Sequence, residues 1–176
     1  PKSCKSFDEE GNVLWCGSIS KTLAPGYRVG WIAPGRFKEK IIHQKLIHTV
    51  SSTTITQEAV ANFLENGRYE HHLRNLRREL HANSLHFTRA IAEYFPEGTK
   101  VSRPQGGFML WVELNERIDT AELYERAIRQ KISIAPGRMF SLQDQFNNCM
   151  RLTYGQRWTE QLESKLKLLG SIVKGM

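Results

Sequence analysis

From Tyr69 to Phe95 the apolar residues Leu73, Leu76, Leu80, Phe87, Ile91 and Tyr94 recur at the spacing that places them on one face of a helix. The run stops at Pro96-Glu97-Gly98, a helix-breaking turn. A helix of that length can join two lobes, and it divides the chain. Residues 1–80 read as the end of a larger α/β domain plus the start of the linking helix, and residues 81–176 as a compact α+β lobe.

Ahead of the helix, Val13–Ile19 and Arg28–Ile32 are apolar, β-prone runs separated by Pro25-Gly26, which predicts two strands joined by a short loop. Phe37, Ile41, Ile42 and Leu46 carry helical spacing, and Thr56–Leu64 predicts a further helix ending at Asn66-Gly67. Beyond the long helix the pattern turns to strands at 100–102, Phe108–Leu114, Ile132–Ala135 and Met150–Tyr154. Asp119 and Glu122 have the spacing of a capping box for an intervening helix, and Leu162, Leu166, Leu169 and Val173 predict the inner face of a last one.

Several classes of function drop out. No run approaches the roughly 18 apolar residues of a membrane helix, and the start lacks a signal-peptide pattern. The chain opens at Pro1 without an initiator Met, so it reads as a cut from a longer protein. Cys4, Cys16 and Cys149 are odd in number and without metal-type spacing, which suits a reducing cytoplasm. His71-His72 invites a metal, but neighbours on a helix point apart and no third ligand accompanies them, so none is assigned. The formal charge of +7 is densest at Arg74, Arg77 and Arg78, which reads as a solvated helix face. Neither a winged helix nor a basic recognition helix is present, so any DNA contact belongs to another part of the protein.

The stretch Gly17-Ser18-Ile19-Ser20-Lys21-Thr22-Leu23-Ala24-Pro25-Gly26-Tyr27-Arg28 sets a lysine among hydroxyls and small residues at the end of a buried-looking strand, with an arginine seven positions on. A neutral lysine amine attacks an aldehyde, and burial or a nearby cation favours that neutral form. The Arg28 fork suits two phosphate oxygens, and Ser18 and Ser20 can add hydroxyl donors. An aldehyde cofactor with a phosphate tail uses all of these groups together; the alternative reading is a plain surface Ser-Lys turn between strands.

The S-x-S-K-T-L-A-P-G-x-R-x-G-W pattern resembles the cofactor-lysine motif of fold-type I, class I/II aminotransferases. It is most similar to the version in MocR-type regulators, where a GntR winged-helix DNA-binding domain is fused to such a domain. The resemblance continues through Pro104–Trp111, Ala135–Phe140 and Met150–Tyr154, and so covers nearly the whole chain. It implies an α/β fold: the C-terminal part of the pyridoxal-phosphate large domain, a strand pair plus helices, followed by the small α+β C-terminal domain. By the same resemblance Lys21 is the Schiff-base lysine and acid/base, and Ser18 and Arg28 hold the pyridoxal 5'-phosphate phosphate with Ser20 as a helper. Arg151 clamps a substrate α-carboxylate. Gly106-Gly107 and Pro136-Gly137 are expected to shape the backbone, and Trp31 and Trp111 to lie in the core.

A complete domain of that family is longer, and its first half supplies the glycine-rich helix start, the ring-stacking aromatic and the acidic partner of the pyridine nitrogen. The resemblance therefore implies weak cofactor retention and negligible transamination by this segment alone, and a homodimer for the full-length protein. Two functions follow. One is the ligand-binding or transaminating domain of a regulator, reading an amino acid or 2-oxo acid. The other is a free-standing aminotransferase of the 2-aminoadipate type.

Overall fold

The computed structural model describes residues 2–176, and by their contacts these fall into two units that divide between Leu76 and Arg77. The first unit holds an antiparallel ribbon of β1 (Trp15–Ser18) and β2 (Gly30–Ala33), followed by α1 (Lys38–Thr49), α2 (Thr54–Glu65) and the opening turns of α3 (Arg68–Tyr94). The second holds the remainder of α3, β3 (Lys100–Val101), β4 (Met109–Glu113), α4 (Thr120–Arg129), β5 (Ala135–Pro136), β6 (Cys149–Thr153) and α5 (Glu160–Lys174).

The second unit is built on one antiparallel sheet in the order β3-β4-β6-β5. Along β4 and β6 side chains alternate between faces, as the two-residue period of a strand requires. Leu110, Val112, Met150 and Leu152 point to one face and are buried with Phe87 and Ile91 of α3, Leu123 and Ala127 of α4, and Leu166, Leu169 and Val173 of α5. The periodicity legible in α3 and α5 is this core contact. Polar ties lock the edges of that core. Buried Asn83 of α3 donates to the carbonyls of Tyr154 (3.2 Å) and Gln156 (2.8 Å), and the buried Thr120 hydroxyl bonds the Cys149 carbonyl at 2.7 Å.

Local chemistry decides the element ends. Asp119 caps α4 by accepting the Ala121 N–H at 2.7 Å, but Glu122 does not close a capping box; it pairs with Arg126 one turn on, at 2.6 Å. The strand expected over Ile132–Ala135 shrinks to Ala135–Pro136, because Lys131 takes a positive φ of 57° and Ile132 donates back to Ala127 before pairing begins. Proline then limits the ladder, since it has no N–H to give.

The first unit has little core. Ile19 and Val60 are its buried hydrophobic residues, whereas Trp15, Trp31, Ile42, Leu46, Ile47 and Ile55 are exposed among the described residues. Trp31, expected in the core, is 47% exposed and packs edge-on against Trp15 at 4.8 Å, because β1 and β2 pair with each other alone and both faces of the ribbon stay uncovered. Gly17 leaves room beneath it, since a Cβ there would overlap the Trp31 indole as it is placed. The strand carrying the lysine motif is thus an exposed ribbon, not the buried strand its apolar residues suggested.

This asymmetry predicts unequal costs of truncation. Leu123→Ala, at a site with no exposure, is expected to lower unfolding stability by about 2–5 kcal/mol. Ile42→Ser, at a site 53% exposed, is expected to change it by about 0.5 kcal/mol or less. Denaturant titration of the two variants checks the contrast.

Candidate functional site

The expected cofactor residues gather in the connection between β1 and β2. Ser18 closes the ribbon opposite Gly30, and the Ile19 N–H bonds the Val29 carbonyl at 3.3 Å, so the two ends of the motif are neighbours. Between them the chain folds back on one acceptor. The Ile19 carbonyl takes the N–H groups of Thr22 (3.2 Å), Leu23 (2.8 Å) and Ala24 (3.2 Å), which leaves Lys21 exposed on the outer side of a tight turn. A short 3-10 turn, Pro25–Tyr27, follows, and Arg28 caps it in the left-handed conformation at φ 52°. A non-glycine residue there is uncommon and is characteristic of a constrained site.

The donor set fits a phosphate-bearing aldehyde. From Ser18 to Trp31 the chain contains Lys21 and Arg28 but no carboxylate, so the connection is a local concentration of positive charge. Arg28 is exposed and has no ion-pair partner among the described residues. The Ser18 Oγ accepts the Ser20 N–H at 3.2 Å and so keeps its own proton to donate. An amine for a carbonyl carbon, a guanidinium fork and a hydroxyl are therefore present in eleven consecutive residues, Ser18 to Arg28.

Arg151 belongs to the second unit. The alternation that buries Met150 and Leu152 turns Arg151 to the opposite, exposed face of β6, across from Trp111 of β4 and Ala135 of β5. It makes no ion pair among the described residues. Its guanidinium lies instead over the Phe140 ring at 4.7 Å, and Phe140 and Phe146 pack edge-on against Trp111 at 5.7 and 5.6 Å. Trp111 is thus half-buried on the outer face and not in the core proper. A guanidinium held by an aromatic face keeps its in-plane N–H donors free for a planar anion such as a carboxylate.

Backbone devices support this outer face. Gly137 sits where a Cβ would collide with the Phe146 and Cys149 carbonyls, so only glycine lets the Phe140 turn approach β6. Cys149, two residues before Arg151, is buried, and burial pushes its thiol pKa up, so it stays a neutral thiol. Phe140 was not legible as a site residue, because its contact with Arg151 crosses from the turn after β5 to β6. No group of metal-binding side chains occurs among the described residues, and His72 bonds the Thr22 carbonyl at 2.7 Å.

Comparison with known proteins gives the same family throughout. The family described as aminotransferase class I and II matches residues 2–167. The chain is 39% identical to the uncharacterized HTH-type transcriptional regulator YjiR of Escherichia coli K12, over 98% of this chain and 37% of that protein. Among solved structures it superposes on the multiple substrate aminotransferase of Thermococcus profundus with a TM-score of 0.88 at 30% identity, over 97% of this chain and 43% of that one. It also superposes on LysN, an α-aminoadipate aminotransferase of Thermus thermophilus complexed with N-(5'-phosphopyridoxyl)-L-leucine, with a TM-score of 0.85 at 26% identity, over 92% of this chain and 42% of that one. The chain therefore spans about two fifths of the length of these relatives.

The stacking of Arg151 predicts a measurable loosening. Phe140→Ala removes a contact worth about 0.5–1 kcal/mol at an exposed site. It is expected to lower the NMR order parameter of the Arg151 Nε–H while the core resonances of Leu110 and Leu152 stay in place. An unchanged order parameter would mean that the ring does not hold the guanidinium.

Proposed function

The chain belongs to the class I and II aminotransferase family, and on that basis we propose that it is the cofactor-lysine half of a pyridoxal-phosphate domain in a MocR-type regulator of the GntR family. The observation that carries this reading is the acid-free Ser18–Arg28 connection, with its amine, hydroxyls and guanidinium, in a chain 39% identical to a protein described as an HTH-type regulator. The likeness to LysN supports the second reading, a free-standing aminotransferase of the 2-aminoadipate type.

Bound pyridoxal phosphate supplies an electron sink for the bonds at an amino acid Cα. This chain's residues do the rest. The Lys21 Nζ would be the amine for the aldehyde carbon and would serve as the base that takes and returns the Cα proton. Arg28 and the Ser18 hydroxyl hold the phosphate oxygens, with Ser20 as a helper. Arg151 takes the α-carboxylate of an amino acid or 2-oxo acid through two parallel N–H donors, which orients the Cα bond. The glycine-rich helix start, the stacking aromatic and the acidic partner of the pyridine nitrogen lie in the part of the relatives that this chain does not span. In the regulator, DNA recognition belongs to a winged helix outside this segment, the protein is a cytoplasmic homodimer, and the occupied domain differs in shape from the empty one. No helix among the described residues is long and apolar enough to cross a membrane.

The test uses the full-length protein with pyridoxal phosphate, a panel of amino acids and deuterated solvent, following Cα–H exchange by NMR. Exchange is expected for at least one amino acid and is expected to vanish in Lys21→Ala. Arg151→Ala should raise the half-saturating concentration on the order of 100-fold, the worth of the charged hydrogen bonds removed. Exchange that survives Lys21→Ala would overturn the assignment. Amino-acid-dependent DNA binding separates the regulator from the free-standing enzyme.

A further inference from the structure

We infer that Tyr69 and His72, on the first turns of α3, are positioning residues that hold the Lys21 turn in a single shape. The inference rests on the reading of Lys21 as the cofactor amine and deepens it. The Tyr69 hydroxyl donates to the Thr22 Oγ1 at 2.8 Å, and the His72 Nε2 bonds the Thr22 carbonyl at 2.7 Å. A carbonyl only accepts, so the Nε2 carries the proton and the ring donates. Both bonds end on the residue next to Lys21, and they reach it from 47 and 50 positions away. By contrast, the bonds of Asn12 with Asp8, Ser20 with Ser18, His48 with Gln44 and Asn66 with Asn62 link residues no more than four apart.

The turn needs outside support. Its internal bonds all share the Ile19 carbonyl, which accepts three N–H groups and has two lone pairs to offer. Its surface is exposed, and among the described residues Ile19 is the one buried side chain of the turn. Tyr69 and His72 are three apart and so lie on one helix face. Phe63 of α2 packs edge-on against both rings, at 6.4 and 6.3 Å, which fixes their directions. The two bonds therefore hold the Thr22 side chain and the peptide plane that follows it, and the Thr22 N–H bond to Ile19 holds the plane before it. The two planes that flank Thr22 are thus tied, which sets the backbone on the C-terminal side of Lys21. An amine that must meet one carbonyl carbon loses rate steeply when its base moves by about an ångström.

The test compares the full-length protein with its Tyr69→Phe, His72→Ala and His72→Gln variants, the last keeping an amide donor where the imidazole Nε2 stands. Two quantities are read: amide hydrogen exchange at Thr22, Leu23 and Ala24, and, after pyridoxal phosphate and borohydride, the pyridoxyl label on the peptide containing Lys21 relative to that on Lys38 and Lys45. His72→Ala should speed exchange at these three amides about tenfold, the loss of one hydrogen bond. It should lower Lys21 labelling about 10- to 100-fold on the scale of such misplacements. Tyr69→Phe should act in the same direction and less, and His72→Gln should restore both quantities to within about threefold. Exchange that is unchanged at the turn, or raised evenly over residues 2–76, overturns the positioning role. Exchange that responds as expected while the full-length parent protein takes no label at Lys21 upholds the anchoring and overturns the reading of Lys21 as the cofactor amine.

Discussion

The two-residue period of β4 and β6 ties the core of the second unit to its chemistry. One face of these strands carries Leu110, Val112, Met150 and Leu152 into the core, and the other carries Trp111 and Arg151 outward. A slip of one residue would exchange the two sets, exposing the apolar side chains and burying an unpaired guanidinium at a cost of several kcal/mol. The core therefore specifies the display of Arg151, and α3, α4 and α5 enforce that register. Phe140 then refines the position, since its ring lies against the guanidinium without consuming its in-plane donors.

The first unit solves the same problem with different means. It buries little, and the Lys21 turn is held by hydrogen bonds: three to the Ile19 carbonyl from within, two to Thr22 from α3. Such bonds are directional and each is worth only about 1 kcal/mol net, so the turn is specified in shape more than it is stabilised. Local opening of so lightly packed a segment costs little compared with global unfolding. The exposed Trp15, Trp31, Ile42, Leu46 and Ile47 give the unit a wide apolar surface for further packing.

Much of this was legible in the sequence, and the exceptions share a cause. The spacing of Leu73, Leu80, Phe87 and Ile91 marked α3 because helical periodicity is a local signal, and the Ser18–Arg28 motif and Arg151 stood out by residue type and order. Trp31 was misplaced because apolar character shows that a residue prefers burial, not that a neighbouring layer covers it. Ile132 to Ile134 failed as a strand because the positive φ at Lys131 turns the backbone, which composition does not encode. Phe140, Tyr69 and His72 carried no signal for their roles, since each acts across a separation that only the folded chain closes. His72, to which the sequence assigned no metal, is committed in the fold to a backbone carbonyl.

The central claim is that the Lys21 amine is the group that takes pyridoxal phosphate. Its most direct test adds the cofactor to the purified full-length protein, fixes it with borohydride and locates the pyridoxyl label by mass spectrometry, beside the Lys21→Ala variant. The account predicts a label concentrated on the peptide containing Lys21 and lost in the variant. A label spread over surface lysines and equal in the two proteins would contradict it.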